Sequence, residues 1–194
     1  MSSASYTYCS GVLPYTNFNG NIYYLLGKSR RHGRLSTFSG KNDQLDQSIE
    51  DTAAREFFEE SLGSIMDRSM MLQLIRKEHT VRLESRTPRG MPCYTFVVEI
   101  PYRKHYSLVF SKVYAFLEAS NIRRPEFLEM IDIKWVCARS MLTRVRKQWE
   151  RNGVLVQPSE WQKLELISPP RTWPAWNSGR SVSDTDAPDA DSNG

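Results

Sequence analysis

The chain has 194 residues, of which 40% are hydrophobic and 25% charged, so it is long enough to bury the core of one domain. No apolar run approaches the roughly 20 residues that cross a membrane, and residues 1–11 lack the basic start and apolar stretch of a secretory signal. The three cysteines are far apart in the sequence and show no metal-ligand spacing. These features predict a soluble, intracellular and cytoplasmic protein with free thiols and no membrane partner.

Charge is distributed unevenly along the chain. The net charge is +4, yet residues 179–194 hold one arginine and four aspartates, a net of −3, which leaves +7 for the preceding residues. A basic body predicts anionic partners such as phosphates or RNA, although the same charge is common among soluble proteins. The Pro, Ser and Asp bias from Pro169 onward predicts a disordered tail at 169–194 and a single domain at 1–168.

The first half of the chain predicts a hairpin followed by one strong helix. Residues 5–15 are rich in strand-forming residues, and Asn19-Gly20 is a typical two-residue hairpin turn before the apolar run 22–26. Residues 48–62 predict a helix, because Ser48 can cap it, four apolar residues supply a buried face and Gly63 follows as a C-terminal glycine.

The second half predicts three more strands and further helices. Residues 74–85 and 93–102 flank the turn signal "RTPRGMP" and predict a strand pair. Further along the chain, residues 107–120 predict an amphipathic helix, and residues 131–138 predict a short strand. A basic helix at 139–153 and a last helix or strand at 159–168 complete the domain. Strands on both sides of a central helix, without regular βαβ alternation, predict an α+β fold with a mixed central sheet between helices.

Three carboxylates converge on the helix at 48–62. Because residues three and four apart share a helix face, Glu56 faces both Glu59 and Glu60, and such like charges repel one another. A divalent cation would remove this repulsion, since Mg²⁺ and Mn²⁺ prefer oxygen ligands. The alternative is an ordinary solvent-exposed charged face.

The residues around this helix resemble the signature of the Nudix hydrolases. That signature runs Gly, five residues, Glu, seven residues, then Arg-Glu-apolar-x-Glu-Glu-x-Gly-apolar. In this chain the matching residues are Gly40, Arg55, Glu56, Phe57, Glu59 and Glu60. The resemblance implies an α/β/α sandwich, Mg²⁺ or Mn²⁺ as cofactor, and Glu56, Glu59 and Glu60 as metal ligands. It also implies that Glu59, Glu60 and Arg55 take part in catalysis, with Arg55 in a positioning role.

The chain departs from the signature at two places. Fourteen residues separate Gly40 from Arg55 where the family has thirteen, so the first glutamate of the signature falls on Asp46 when counted forward and on Gln47 when counted back. Asp46 can act as a carboxylate, whereas Gln47 can only be a neutral group. The second departure is Leu62, an extra residue before Gly63 that is expected to lengthen the helix by one residue.

Further candidates for the site lie outside the helix. Family members differ in their general base, which in some is a glutamate of a later loop. Glu126 and Glu129 are both candidates because they precede the strand at 131–138, and Glu129 is the preferred one. Gly40 and the adjacent Lys41 are candidates for phosphate binding, together with the basic loop at 28–34, which contributes Lys28 and Arg34. The alternative for that loop is a solvated basic turn.

The resemblance implies hydrolysis of a nucleoside diphosphate linked to another group. The form "TAAREFFEESLG" resembles Nudix proteins of large DNA viruses and some algae more than bacterial enzymes that clean nucleotide pools, which favours capped mRNA as substrate. Stacking of a cap would need aromatic groups such as Tyr23, Tyr24, Trp135 or Trp149. The alternatives are dinucleoside polyphosphates, nucleotide sugars, ADP-ribose or oxidised nucleoside triphosphates as substrate, and a non-catalytic module that binds nucleotide or RNA.

Overall fold

The computed structural model of the protein describes residues 7–120, 125–138 and 155–156. The elements in chain order are β1 (Cys9–Phe18), β2 (Asn21–Ser29), β3 (Leu35–Ser36), β4 (Phe38–Lys41), α1 (Ile49–Glu60), α2 (Arg68–Ile75), β5 (Val81–Arg86), β6 (Pro92–Glu99), α3 (Tyr106–Ala119), a 3₁₀ turn (Pro125–Leu128), β7 (Met130–Cys137) and β8 (Leu155–Val156). The elements predicted at 139–153 and 159–168, and the predicted tail, lie outside the described residues. No helix in the described part of the chain is long and apolar enough to cross a membrane.

The strands form one mixed sheet, which confirms the predicted α+β class. Among the described residues the sheet has eight strands in the order β3-β2-β1-β6-β5-β8, with β4 paired to β1 and β7 paired to β2. Only the pairing of β1 with β6 is parallel in this part of the chain. One edge of β1 is shared, because its first half pairs with β4 and its second half with β2. This arrangement brings the signature glycine, Gly40, opposite Ser10 in the sheet.

Two apolar clusters lie on the two faces of the sheet. Neighbouring residues of one strand, such as Leu25 and Leu26, belong to different clusters because successive side chains point to opposite faces. All three described helices contribute to the larger cluster, through residues such as Phe57, Met71 and Phe110. The three described helices therefore pack on the same face of the sheet, and α1 with its glutamates is one of them.

The strongest local predictions are confirmed. Asn19 and Gly20 join β1 to β2 with positive φ angles of 51° and 75°, as a two-residue hairpin turn requires. Helix α1 begins after Ser48, whose hydroxyl accepts a hydrogen bond from the Asp51 N–H at 3.2 Å. Helix α3 and strand β7 occupy the predicted positions within one residue. The strand pair β5–β6 is also present, although β5 begins seven residues later and β6 ends three residues earlier than predicted.

Two local expectations were wrong. Residues 74 and 75 end helix α2 rather than beginning a strand, because Asp67 caps that helix at the Met70 N–H and Met71 and Ile75 bury one of its faces. Leu62 does not lengthen α1: the helix ends at Glu60, Ser61 is its C-cap, and Leu62 adopts a left-handed φ of 59°. The extra residue is therefore absorbed in the turn after the helix, where the Leu62 side chain is buried.

Candidate active site

Helix α1 presents its glutamates to strand β4. Glu60 is 3% exposed and accepts a hydrogen bond from the Ser39 N–H at 2.6 Å. Glu56 lies directly against Gly40, where an added Cβ would overlap the Glu56 carboxylate. The signature glycine is needed here because any side chain at position 40 would fill the space that Glu56 occupies.

Arg55 holds the carboxylates of Glu56 and Glu59 in place. One guanidinium nitrogen, Nη1, lies 2.9 Å from an oxygen of Glu56 and 2.8 Å from an oxygen of Glu59. Nη2 donates to the Lys41 carbonyl at 2.8 Å and to Asp46 at 2.9 Å, and Nε donates to Asp46 at 3.0 Å. The acidic neighbours raise the pKa of Arg55 even though burial opposes this. The guanidinium thus joins helix α1 to β4 and to the loop between them.

Asp46, and not Gln47, is the partner of Arg55. The Asp46 side chain is 1% exposed and also accepts hydrogen bonds from the Thr52 hydroxyl at 2.9 Å and the Asp43 N–H at 2.7 Å. Burial raises its pKa, but the hydrogen bonds from Arg55, Asp43 and Thr52 outweigh this and hold the pKa of Asp46 below its ordinary value. Gln47 is exposed, and its backbone N–H donates to Asp51. The longer loop therefore supplies a buried carboxylate that positions Arg55.

The carboxylates of the site repel one another. The pKa of Glu56 is raised to about 7, because burial, with smaller contributions from Glu59 and Glu129, outweighs the opposing effect of the Arg55 guanidinium. Burial also raises the pKa of Glu60 well above its ordinary value, and Glu56, Glu129 and Glu59 act in the same direction against the Ser39 N–H. The site therefore holds two buried glutamates, Glu56 and Glu60, whose negative charges are unfavourable unless a proton or a cation compensates them.

A cleft of about 430 Å³ opens beside these residues. The side chains and backbone that line it come from β4, the following loop, α1 and the residue before β7: Gly40, Lys41, Asn42, Asp43, Arg55, Glu56, Glu59 and Glu129. Glu129 is exposed and faces the helix glutamates from the other side. Sequence reasoning placed Glu129 and Lys41 among the candidates, and the fold brings both to the cleft.

Two lining residues were missed, and five candidates do not line the cleft: Glu60, Asp46 and Gln47, described above, and Lys28 and Arg34. The Asn42 side chain accepts hydrogen bonds from the Thr7 and Tyr8 N–H groups, and Asp43 accepts one from the Leu45 N–H. Their only signal in the sequence is that they follow Lys41 directly. Within the described residues, Lys28 and Arg34 do not line the cleft, since Lys28 is half-buried on β2 between β3 and β7 and Arg34 is exposed before β3.

The aromatic candidates for cap stacking are likewise away from the cleft. Tyr24 is fully buried in the smaller apolar cluster. Tyr23 and Trp135 pack around Tyr102, with ring centroids 6.4 and 5.5 Å from it. None of these described rings lines the cleft, and Trp149 lies outside the described residues.

The oxygen donors fit a hard divalent cation chemically, but they do not form a finished cage. Among the described residues, no three histidine, cysteine, aspartate or glutamate side chains surround one point as ligands of a single ion. Glu56 and Glu59 turn instead to the same nitrogen of Arg55. Mg²⁺ commonly uses one or two carboxylates and completes its shell with water and substrate phosphates, so this donor set suits that ion.

No protein-family model matches the amino-acid sequence, and no curated protein matches it. Among solved structures, the chain is similar to the Nudix domain of Shewanella oneidensis NrtR complexed with ADP ribose, at 13% identity and a TM-score of 0.47, over 86% of this chain and 88% of that one. It is similar to the Ap4A hydrolase of C. elegans at 14% identity and a TM-score of 0.44, over 72% and 86% of the two chains. It is also similar to a Nudix hydrolase from Listeria monocytogenes at 13% identity and a TM-score of 0.42, over 83% and 91%.

These similarities concern the fold of the chain. The ligands and activities named with those structures belong to those proteins.

Proposed function

We propose that the protein is a metal-dependent pyrophosphohydrolase of the Nudix type, which cleaves a nucleoside diphosphate linked to another group. The observation that carries the proposal is the convergence of Glu56 and Glu59 from α1 with Glu129 at one cleft, with the buried Glu60 on the same helix. Such mutual repulsion is unfavourable for a purely structural helix, and it is removed when a cation binds. The close fit of Gly40 against Glu56 supports the same reading, because both belong to the signature.

The roles of the residues follow from their positions. Glu56, Glu59 and Glu60 would hold Mg²⁺ or Mn²⁺, which when bound neutralises phosphate charge and lowers the pKa of a bound water. Arg55 keeps the Glu56 and Glu59 carboxylates at the cleft through its anchor on Asp46. Lys41 binds the anionic diphosphate at the cleft wall, and Gly40 leaves room for the carboxylate behind it.

Glu129 is the proposed general base. It is exposed at the opposite side of the cleft, so it can accept a proton from the attacking water. The water oxygen then bonds to phosphorus while the bridging P–O bond breaks and the leaving phosphate departs. Lys28 and Arg34 are assigned a weaker role in attracting the anionic substrate, because they do not line the cleft.

Capped mRNA is the favoured substrate. The basic body, with +7 charges before residue 179, supports contact with a long polyanion. Dinucleoside polyphosphates, nucleotide sugars and ADP-ribose are the alternatives for the same chemistry. Decapping requires activity on long capped RNA to exceed activity on the free cap nucleotide and to fall steeply with salt.

A second candidate function is binding without turnover. Two observations favour it: the described carboxylates do not surround a single point, and Arg55 already pairs with two of them. In that case the protein binds nucleotide or RNA at the cleft, and Mg²⁺ or Mn²⁺ brings no multiple turnover.

A substrate panel with matched variants separates the two functions. The panel contains capped RNA, free cap nucleotide, ADP-ribose, dinucleoside polyphosphates and nucleoside triphosphates, each with Mg²⁺ or Mn²⁺. Hydrolysis predicts multiple turnover that Glu59→Gln and Glu60→Gln abolish and that Glu50→Gln preserves, since Glu50 is on the first turn of the same helix and does not line the cleft. Tight binding with no product on any substrate would contradict the hydrolase and support the binding module.

A further inference from the structure

Two cysteines that are 84 positions apart in the sequence are direct neighbours in the sheet. Cys9 on β1 and Cys93 on β6 are register partners in the parallel pairing, so their side chains lie side by side on one face. Adjacent strands are about 4.8 Å apart, which is within the Cα separation of roughly 4.4–6.8 Å that a disulfide spans. Both residues are only partly buried, and both thiols are free.

The surroundings of Cys9 favour its thiolate form. The pKa of Cys9 is lowered to about 7, because the neighbouring Cys93 thiol and the ammonium group of Lys41 together outweigh burial, which opposes the shift. Lys41 is opposite Cys9 on the other side of β1, in the pairing with β4. The neighbouring Cys9, together with burial, raises the pKa of Cys93. Cys9 is therefore suited to attack an oxidant as a thiolate, and Cys93 is suited to attack the oxidised Cys9 afterwards.

We propose that Cys9 and Cys93 form a peroxide-reactive dithiol site, in which Cys9 is the attacking thiolate and Cys93 the resolving thiol. The Cys9 sulfur attacks one oxygen of hydrogen peroxide, the O–O bond breaks, and the departing hydroxide takes up a proton to give water and a Cys9 sulfenic acid. The Cys93 sulfur then bonds to the Cys9 sulfur, the S–O bond breaks, and a second water leaves. Two thiols are oxidised and one peroxide is reduced to two waters.

The assignment rests on geometry that a lone thiol lacks. Oxidation sensors are accessible cysteines with a stabilised thiolate and a resolving cysteine close by. The sheet places Cys9 between Lys41 on β4 and Cys93 on β6. The thioether of Met91 adds a third sulfur, 3.5 Å from the Cys9 sulfur. Because the site does not use the glutamates of the cleft, it stands or falls independently of the proposed hydrolase activity.

The test uses the full chain and the third cysteine as an internal control. Cys137 is exposed on β7 and pairs with Tyr23 rather than with another cysteine. When the wild-type protein is treated with one equivalent of hydrogen peroxide, peptide mapping should find a Cys9–Cys93 disulfide within one chain and an unmodified Cys137. In Cys93→Ser the same treatment should give a Cys9 sulfenic acid that dimedone traps. Oxidation of Cys137 before the pair, or no disulfide in the folded wild-type protein, would overturn the proposal.

Kinetics provide a second measurement that does not need Cys93 to be replaced. In Cys137→Ser, an aromatic disulfide reagent should release two reporter thiols per reagent molecule, because Cys93 resolves the first mixed disulfide. A thiolate with pKa near 7 should react roughly threefold faster than an ordinary thiol of pKa ~8.5 at about pH 7, and roughly sixfold faster at about pH 6, after its lower nucleophilicity is included. If Cys9 reacted no faster than an ordinary thiol at either pH, or if a stable mixed disulfide remained at Cys9, the pair would not act as a unit.

Discussion

The burial of the Glu56 carboxylate, reinforced by neighbouring glutamates, predicts that the cation-free protein is more stable without this charge. Glu56 has a pKa of about 7 in the folded protein against an ordinary value of 4.5. Since one pKa unit corresponds to about 1.4 kcal/mol, the ionised side chain costs the folded state about 3 kcal/mol. Glu56→Gln keeps the shape of the side chain and removes the charge, so it should remove this cost.

The sign of the pH dependence follows from the raised pKa. Below the ordinary pKa, Glu56 is protonated in the folded and the unfolded chain and costs nothing. As pH rises towards 7 and beyond, the unfolded chain gives up its proton first, so Glu56 should account for a loss of about 2.5 kcal/mol between about pH 5 and pH 8. Glu60, whose pKa is also raised, adds to the loss in the wild-type protein but is common to both proteins compared. Asp46 does not disturb this window, because its lowered pKa places its own contribution in more acidic solution.

The assay is urea unfolding and thermal unfolding in the presence of a chelator. At about pH 8, the free energy of unfolding of Glu56→Gln should be about 3 kcal/mol higher than that of the wild-type protein. For a chain of this size, this difference raises Tm by roughly 6–12 °C. The two proteins should be nearly equal at about pH 4. Glu50→Gln is the matched control, and it should give no stabilisation because Glu50 lies on the favourable N-terminal turn of α1. If Glu56→Gln were less stable than the wild-type protein at both pH values, the reasoning from the buried charge would be refuted.

Three more predictions use single changes around the site. Millimolar Mn²⁺ or Mg²⁺ at about pH 8 should raise the Tm of the wild-type protein, and should raise the Tm of Glu59→Gln or Glu60→Gln much less. If thermal unfolding showed equal Tm shifts in the wild-type protein and both variants, Glu59 and Glu60 would not be metal ligands. Gly40→Ala should destabilise the protein by about 1–3 kcal/mol in urea and reduce turnover, because the new methyl group overlaps the Glu56 carboxylate; an unchanged variant would contradict that contact. Asp46→Asn should cost roughly 1.5–3 kcal/mol because it removes the charged partner of Arg55 Nε and Nη2, while Glu56 and Glu59 still face Nη1. Gln47→Ala should stay within about 0.5 kcal/mol, and similar values for both variants in unfolding experiments would reopen the choice between the two positions.

The local elements could be predicted because their causes are local. A cap at Ser48, the turn at Asn19-Gly20 and the spacing of Glu56, Glu59 and Glu60 depend on residues a few positions apart, and these interactions form in any tertiary setting. Helix α2 was missed for the opposite reason. Its short apolar face gains most of its stability by packing on the core, through Met71 and Ile75.

The choice between Asp46 and Gln47 shows where counting along the chain stops being informative. An extra residue in a loop can be absorbed at several points, and only the burial of the Asp46 carboxylate against Arg55 decides which side chain turns inwards. Leu62 is a similar case, because the turn after α1 absorbs it with a left-handed backbone and a buried side chain.

By itself, the sequence determined the composition of the candidate site: an acidic helix, a glycine before it and an arginine beside its glutamates. Tertiary structure alone decided which distant residues join it, since Glu129 reaches the cleft through the position of β7 while Lys28 and Arg34 do not line it. It alone also placed Cys9 beside Cys93, through a parallel pairing of β1 with β6. Long-range pairing depends on how the whole sheet is ordered, and no spacing within the chain encodes that order locally.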